Sequence, residues 1–304
     1  MAGATGRVEG KVVQDLVIRK FTGDPLLLTA SRLYNLAMHI GIDVRLPFYQ
    51  MGGISQYILH LLPALAGLDN ENRYSLFQMR RDGRSHIPFA PNFQRKNVFT
   101  PCHHKLERWA LGLERLPQRL DLLHSPDFIP PQWGGLRRLI TVHDLNFIFY
   151  PQFLTRESMA YYADQIERAV QVADHISADS HATRHDLIEQ LRVPPEKITT
   201  VHLAANPLYE NAYGETAVSA TLKKHNLPRD FILFVGTLEP RKNLPFLIRA
   251  YQELLRQSKV DVPLILVGGK GWLYEEVFTT INELGLQGEV RHLSGMYGAE
   301  LAHL

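Results

Sequence analysis

The sequence contains a single cysteine, Cys102, and lacks any long apolar run. One thiol cannot form an internal disulfide, so a disulfide-stabilised fold is excluded and a reducing compartment is favoured. No stretch reaches the roughly 20 apolar residues that a transmembrane helix needs. The N-terminus lacks a charged-then-apolar signal pattern, and no Asn-x-Ser/Thr sequon is present. We therefore expect a cytoplasmic protein.

The sequence also has no large excess of positive or negative charge. The 304 residues include 33 Lys and Arg against 31 Asp and Glu, a formal net charge of +2. Such a balance is not typical of a nucleic-acid-binding protein or of a general membrane binder. The hydrophobic share of 45% and charged share of 21% indicate a globular chain. Its length allows two domains of ordinary size.

Several chemical signatures are absent from the sequence. It has no Gly-x-Gly-x-x-Gly fingerprint, Walker A motif, His-Glu-x-x-His helix or Gly-x-Ser-x-Gly elbow. It has no Asp-x-Asp pair either, which is the usual signature of a divalent cation held on a diphosphate. His181 and His185 are spaced like helical metal ligands, but with no third ligand in view we interpret them as exposed residues. We expect no metal site and no cofactor.

A regular α/β pattern begins after Met38. Residues 1–37 show no sustained period of 2 or 3.6, so we expect a weakly ordered N-terminal extension and take Met38 as the natural start. Strands and helices then alternate, which predicts parallel sheets. A polar segment follows, and the pattern restarts at Phe231. We predict an α/β chain of two Rossmann-like domains, residues 38–210 and 211–304, the second of them incomplete.

The segment from Phe231 to Asn243, FILFVGTLEPRKN, carries the strongest local signal. An apolar strand ends at Gly236, and the following turn delivers Arg241 and Lys242 to the start of a helical pattern. Unpaired amide groups, the helix dipole and two cations all favour a bound anion such as a phosphate. The alternative from these residues alone is a surface turn with two solvated cations.

Four other groups follow predicted strands, where open α/β sheets bind ligands. Gly52-Gly53 either allow close approach of a ligand or form a tight turn that needs positive φ. His143-Asp144 end a strand, with a core histidine as the alternative. Ser180 either contacts substrate or caps the next helix. Gly268-Gly269 begin a flexible loop beside an aromatic residue.

Six segments together resemble a known family: GGISQY, TVHDL, SADSHATRHDL, FVGTLEPRKN, LVGGKGW and VRHLSGMYGAEL. They are similar, in order and spacing, to the retaining glycosyltransferases of family 4, which have the GT-B architecture of two Rossmann-like domains. The resemblance runs from about Met38 to the end. It implies transfer of a mannosyl- or glucosyl-like sugar from a GDP- or UDP-linked donor, with retention and without a metal. The implied acceptor is a glycan or a lipid-linked sugar, as in polysaccharide biosynthesis.

The resemblance also implies roles for individual residues. Arg241 and Lys242 would bind the donor diphosphate, with Gly52 and Gly53 near the phosphates and the reacting sugar. His143 would be the catalytic residue at the transferred sugar. The remaining implied donor contacts are Gly236, Thr237, Gly268, Gly269, Leu293, Met296 and Tyr297, with Asp144 and Ser180 as further substrate contacts.

Two departures from the family pattern limit the expected activity. Many members have Arg where this chain has Thr237, and Arg241 would substitute. The family's Glu-x7-Glu motif is missing: Glu275 and Glu283 have its spacing but lack its context, and we interpret them as solvated helix positions. We expect a C-terminally truncated fragment with little activity. The alternatives are a non-catalytic nucleotide-sugar-binding module and a GT-B sugar-nucleotide epimerase.

A basic amphipathic helix is predicted over residues 104–116. Leu106, Trp109, Ala110 and Leu113 form one stripe of it. The sequence favours packing of this stripe into the first domain. The alternative is a peripheral contact of the helix with the inner face of the membrane.

Overall fold

The computed structural model describes residues 37–49, 52–104, 106–154, 156–259 and 261–304. The predicted N-terminal extension lies outside these residues, apart from Ala37. The chain divides into two compact units between Leu203 and Ala204. Among the described residues, no helix is both long and apolar enough to cross a membrane.

The described residues of the first unit form seven strands and six α-helices. The strands are β1 (His39–Asp43), β2 (Arg73–Met79), β3 (Phe93–Val98), β4 (Leu120–Ser125), β5 (Gly135–Val142), β6 (His175–Ala178) and β7 (Ile198–Thr200). The helices are α1 (Leu46–Tyr49), α2 (Gly53–Leu68), α3 (Glu107–Arg115), α4 (Asn146–Phe149), α5 (Arg156–Val172) and α6 (His181–Leu191).

All seven strands are parallel, in the order β3-β2-β1-β4-β5-β6-β7. Ile42 of β1 pairs with Leu76 on one side and His124 on the other. The strand order reverses between β1 and β4, so the crossover connections diverge there and leave a crevice at the carboxyl edge. The fold therefore places a potential binding site beside the ends of β1 and β4.

Two apolar cores cover the faces of this sheet. Helix α2 contributes Ile58 and Leu62 to one core, and α5 contributes Ile166 to the other; all three are at most 1% exposed. Ile42 and Ile140 are buried within the sheet itself. Parallel strands covered on both faces have continuous apolar runs, which is why the sequence pattern identified them.

The second unit is smaller. Its strands are β8 (Ile232–Val235), β9 (Leu264–Val267) and β10 (Val290–Leu293), and its helices are α7 (Glu215–Lys224), α8 (Leu244–Arg256), α9 (Glu275–Glu283) and α10 (Gly298–Ala302). The strands form a parallel sheet in the order β10-β9-β8. The predicted α/β class with two parallel sheets is confirmed.

The central and edge strands of the second sheet differ in burial. All four residues of β9 are buried, whereas Leu233 and Val235 of the edge strand β8 are 37% and 52% exposed. Because successive strand residues point to opposite faces, β8 leaves one of its faces uncovered. The sequence predicted an incompletely covered second sheet.

The segment after β7 belongs to the second unit. The ring of Tyr213 lies 4.5 Å from that of His303, centroid to centroid, and the Tyr213 hydroxyl donates to the Leu208 carbonyl at 2.8 Å. These contacts tie the segment to the end of the chain. The structural division therefore precedes the boundary predicted at residue 210.

Candidate functional site

Four charged side chains form a buried network at the carboxyl end of β1. Arg45 donates to both carboxylate oxygens of Asp43, through Nε at 2.9 Å and Nη2 at 2.8 Å, and Arg115 Nη2 donates to the same carboxylate at 2.9 Å. Arg45 also contacts Glu107 and donates to the Thr100 carbonyl at 2.9 Å. Burial opposes ionisation of Asp43, but the two guanidinium groups outweigh it and hold the pKa of that carboxyl well below its usual range. The network is a rigid, internally neutral support for the strand end.

Helix α3 supplies two members of this network, and the predicted orientation of that helix is wrong. Glu107, Leu111 and Arg115 are buried, with successive members one turn apart on one face. Trp109 and Leu113 lie on the opposite face, 37% and 59% exposed. The helix turns its charged stripe inward because Asp43 and Arg45 require buried partners. The spacing of Glu107, Leu111 and Arg115, at four-residue steps along one helix face, was the available signal.

His143 lies at the end of β5 with both ring nitrogens engaged. Nδ1 is 2.5 Å from Asp179 Oδ2, and Nε2 is 2.9 Å from the Pro126 carbonyl oxygen. A carboxylate and a carbonyl oxygen can only accept hydrogen bonds, so this arrangement favours a ring that is protonated at both nitrogens. Burial opposes this charge, but Asp179 outweighs it and raises the pKa of His143. Sequence reasoning missed Asp179, which directly precedes Ser180.

The pKa of the neighbouring histidine, His124, is shifted in the opposite direction. His124 on β4 is 7% exposed, and its Nε2 lies 2.9 Å from Thr141 Oγ1. Burial, together with the charge of His143, lowers the pKa of His124 to about 4. Tyr57 of α2 stands edge-on to His143, with ring centroids 5.1 Å apart. The environment of the strand ends therefore shifts the pKa values of these two imidazoles in opposite directions.

Ser180 and Asp144 organise local backbone. Ser180 Oγ accepts from Thr183 N at 3.0 Å and caps α6, so the capping interpretation of Ser180 is confirmed. Asp144 Oδ1 accepts from Asn146 N at 3.0 Å and stabilises the start of α4. Asp144 directly follows His143 in the sequence, and Ser180 follows the neighbouring strand β6. Both residues fix the loops around His143.

Gly52 and Gly53 precede the body of α2. Gly52 has φ −95° and ψ −171°, and neither glycine adopts a positive φ. The tight-turn interpretation of these glycines is therefore wrong. A Cβ added at either position would meet nothing within 4 Å. The two residues leave open space at a helix N-terminus, as close approach of a ligand requires.

A cleft opens at the crossover of the first sheet. It lies between the ends of β1 and β4, and the space inside it that water can reach is only about 20 Å³. Its polar walls include Asp43, Arg45, His103, Ser125 and Asp127. All five residues end or follow strands without a recognisable motif, and sequence reasoning missed them.

In the second unit the loops after β8 and β9 are joined by their backbones. Leu238 N donates to the Gly269 carbonyl and Gly271 N to the Leu238 carbonyl, each at 2.9 Å. A Cβ on Gly268, where φ is +155°, would lie 1.9 Å from the Gly236 carbonyl oxygen. Only glycine fits this crossing. We call residues 236–238 with 268–271 the loop clasp.

The predicted cation pair lies in a 3-10 turn, Pro240–Lys242, directly before α8. Arg241 Nη2 donates to Glu239 Oε1 at 2.7 Å, and Glu239 is 5% exposed. Lys242 is exposed and forms no ion pair within the described part of the chain. This turn therefore holds Arg241, which an ion pair orients, and Lys242, which has no ion-pair partner among the described residues. The sequence prediction missed Glu239, although it stands two residues before Arg241.

The remaining predicted donor contacts divide into exposed and buried residues. Leu293 ends β10, and its carbonyl accepts from Gly268 N at 2.9 Å, which brings it to the loop clasp. Tyr297 is 55% exposed. Met296 is 3% exposed and packs in a core cluster with Ile265, so its side chain does not face a ligand. This apolar side chain fills the space beside the central strand β9.

Thr237 lies half-buried in the loop clasp. Glu275 and Glu283 are both exposed on α9, as the sequence predicted.

Comparison with known proteins places this architecture among the GT-B glycosyltransferases. The model of the family described as Glycosyltransferase Family 4 matches residues 51–207, and the model described as Glycosyl transferases group 1 matches residues 220–304. The chain belongs to glycosyltransferase family 4.

Two curated relatives are similar over much of the chain. The O-antigen chain mannosyltransferase B of Escherichia coli is 26% identical over 84% of this chain and 71% of the relative. The D-inositol 3-phosphate glycosyltransferase of Thermobispora bispora is 25% identical over 66% of this chain and 52% of the relative. This chain thus spans between about half and seven tenths of the lengths of these two proteins.

A solved structure shows the same fold. The Anabaena protein Alr3699/HepE, crystallised in complex with UDP and glucose, superposes with a TM-score of 0.61 at 19% identity. The superposition covers 88% of this chain and 71% of that protein.

Proposed function

We propose that the protein transfers a hexose from a nucleotide-sugar to a glycan or lipid-linked acceptor, with retention and without a metal. The carrying observation is the loop clasp, which presents Arg241 and Lys242 at the N-terminus of α8 in a chain of glycosyltransferase family 4. A departing nucleoside diphosphate gains negative charge, and fixed cations stabilise it without reorganisation. Membership of the family favours transfer over simple binding.

The donor is a UDP- or GDP-linked sugar in this proposal. The Glu239 carboxylate holds the Arg241 guanidinium at 2.7 Å, which orients it before a ligand arrives. Lys242 supplies a second positive charge. A ligand need not displace an ion-pair partner to reach it. The relative from Anabaena was crystallised with UDP and glucose, and a relative from Escherichia coli is a mannosyltransferase, so both donor classes stay in the proposal.

His143 acts in this proposal as a cation. An imidazolium cannot serve as a general base, but it can donate a hydrogen bond to a sugar or phosphate oxygen. The Pro126 carbonyl occupies Nε2 at 2.9 Å, so a substrate oxygen would replace that carbonyl. We assign His143 to the orientation of the transferred sugar and to stabilisation of developing negative charge.

Calorimetry with UDP and GDP tests the donor site. We expect Lys242→Ala to raise the Kd of the preferred nucleotide about tenfold to a hundredfold, because one charge-assisted contact is lost. Lys223→Ala, an exposed lysine of α7, is the matched control and should leave the Kd unchanged. Equal affinities of the wild type and Lys242→Ala would contradict the assignment.

A non-catalytic nucleotide-sugar-binding module would pass the same calorimetry. Turnover separates the two functions: a transferase consumes UDP- or GDP-sugar in the presence of a glycan acceptor, and a binding module does not. Since this chain spans 71% of the Escherichia coli relative, turnover should be measured both with residues 1–304 and with any longer natural form.

An exposed apolar stripe on the first unit favours a membrane-bound acceptor. The stripe consists of Leu106, Trp109, Leu113, Leu116 and Trp133, all between 37% and 61% exposed. The rings of Trp109 and Trp133 are 5.3 Å apart, and the Arg108 guanidinium lies over Trp109 at 5.3 Å. Aromatic and apolar groups flanked by arginine are typical of a helix that lies in a bilayer interface. We propose that this stripe rests on an anionic membrane surface.

Co-sedimentation with vesicles containing anionic phospholipid tests the stripe. Leu113→Glu should abolish sedimentation while leaving stability within about 0.5 kcal/mol, because the side chain is already exposed. Leu203→Glu changes a leucine of similar exposure, 54%, away from the helix and serves as the control. Identical sedimentation of both variants and the wild type would refute the membrane contact.

A further inference from the structure

Tyr57 of α2 contacts the end of β5 at two points. Its ring stands edge-on to the imidazole of His143, with centroids 5.1 Å apart and an interplanar angle of 79°. Its hydroxyl oxygen lies 3.5 Å from Thr141 Oγ1. Residues 141 and 143 are two apart in the sequence, so their side chains lie on the same side of the strand end. One tyrosine side chain therefore reaches both of them.

Burial keeps the Tyr57 hydroxyl protonated. It raises the pKa of the phenol, and the charge of Asp179 acts in the same direction. Thr141, which the hydroxyl contacts, is 0% exposed, and its Oγ1 is also 2.9 Å from His124 Nε2. The outer end of the tyrosine thus rests on a threonine that is itself fixed inside the sheet.

Three hydrogen bonds also hold His143. Its Nδ1 is bonded to Asp179, its Nε2 to the Pro126 carbonyl, and its backbone carbonyl accepts from Thr183 Oγ1 at 3.0 Å. Each of these bonds fixes a single atom of the histidine. Tyr57 adds a contact with the imidazole ring as a whole, from a helix that supplies none of the three bonds.

The ring contact matters most when Nε2 changes its partner. In the proposed function a sugar or phosphate oxygen replaces the Pro126 carbonyl at Nε2. During that exchange the imidazole keeps one ring bond, to Asp179, and one bond does not define the plane of the ring. The last torsion of a histidine side chain has broad energy minima, so packing must define it. The ring of Tyr57 supplies this packing.

We infer that Tyr57 is a positioning residue for His143: its ring restricts rotation of the imidazole while a substrate oxygen takes the place of the Pro126 carbonyl. The inference rests on the proposed transferase function and deepens it, because it assigns part of the alignment of the transferred sugar to α2. That helix begins at Gly53, four residues before Tyr57. One helical turn thus connects the open space at its N-terminus to the contact with His143.

Turnover of a UDP- or GDP-sugar by two variants tests this role. Tyr57→Phe keeps the ring and loses only the hydroxyl, so its kcat should stay within about twofold of the wild type. Tyr57→Leu keeps an apolar side chain without a flat ring. It should lower kcat and kcat/KM together by about tenfold, because a misaligned group slows the reaction more than it weakens binding.

NMR titration of His143 is a readout that a general loss of packing would not move. A loosened imidazole spends less time bonded to Asp179, so the pKa of His143 should be lower in Tyr57→Leu than in Tyr57→Phe and the wild type. If Tyr57→Leu does not fold, Tyr57→Met takes its place, because a flexible methionine fills the same space without a flat ring.

Three results would overturn the inference. The first is the same kcat and the same His143 pKa in all three proteins. The second is an equal loss of activity in Tyr57→Phe and Tyr57→Leu, which would assign the effect to the hydroxyl. The third is a lower kcat of Tyr57→Leu with an unchanged His143 pKa. If the wild type turns over no nucleotide-sugar, the transferase proposal fails, and the titration still decides whether Tyr57 positions His143.

Discussion

Different kinds of atoms hold the carboxyl edges of the two sheets in place. In the first unit buried side chains do so: Asp43 is fixed by two arginines, and His143 is fixed by Asp179. In the second unit backbone atoms do so, through the crossing of the loops that follow β8 and β9. The first edge presents compensated charges, and the second presents the exposed cation Lys242.

The two arrangements have different effects: buried charge pairs fix the orientation of side chains, and an exposed cation attracts anions. A buried, paired charge contributes little net stability, because desolvation offsets its Coulomb energy, but it fixes geometry. An exposed cation costs little to keep unpaired and attracts an anion directly. The first unit thus fixes the geometry of its strand ends with paired charges, and the second leaves a cation exposed.

The largest effect should come from the buried network of the first unit. Asp43→Asn keeps the shape of the side chain but leaves Arg45 and Arg115 short of an anion. We expect a loss of about 3–5 kcal/mol in the free energy of unfolding, measured by urea denaturation. Asp144→Asn, at an exposed position, should change it by less than about 0.5 kcal/mol. Similar values for both variants would mean that the network does not stabilise the edge.

The backbone crossing of the second unit should give the next effect. Gly268→Ala places a Cβ 1.9 Å from the Gly236 carbonyl oxygen at a φ of +155°. We expect a loss of about 3 kcal/mol and a weaker affinity for nucleotide, seen by denaturation and calorimetry. Gly52→Ala is the comparison in the first unit, where nothing lies within 4 Å. It should leave stability unchanged, and a destabilised Gly52→Ala would contradict the open space at that helix N-terminus.

A smaller, pH-dependent effect is expected at His143. Its pKa is raised in the folded state, so the pair with Asp179 stabilises the fold fully below the unfolded pKa of about 6.5. That stability is lost as the pH rises through the folded pKa. Asp179→Asn should therefore destabilise by about 1.5 kcal/mol in acid and by less in base. Denaturation midpoints across this range measure the difference.

Two observations check the assignment to His143. NMR titration should show the His143 pKa lower in Asp179→Asn than in the wild type. His124, whose folded pKa is about 4, opposes folding in acid in both proteins, and burial, the main cause of its shift, is the same in both. A destabilisation that does not depend on pH would indicate a hydrogen bond without an ion pair.

Sequence reasoning recovered the features that depend on neighbouring residues. The α/β class, the turn that delivers Lys242 to α8 and the strands other than β3 are encoded in short windows, because apolar runs and turn residues act locally. The cap at Ser180 is of the same kind. These features require only a few consecutive residues to identify. The edge strand β3 is mostly polar and was predicted as a loop.

The side-chain pairs of the first edge could not be recovered in the same way. Arg45 and Glu107 are separated by 62 positions, and His143 and Asp179 by 36. Nothing in either local window specifies the partner. The orientation of α3 was wrong for the same reason: its apolar stripe is the stronger local signal, but the buried ion pairs formed with the end of β1 decide which face packs.

The two loops of the loop clasp are joined by backbone hydrogen bonds and not by their side chains. Since the bonds between Leu238, Gly269 and Gly271 join backbone atoms, the side chains at Thr237 and Lys270 are not needed to hold the two loops together. Substitution there can change what the loops touch without changing where they run.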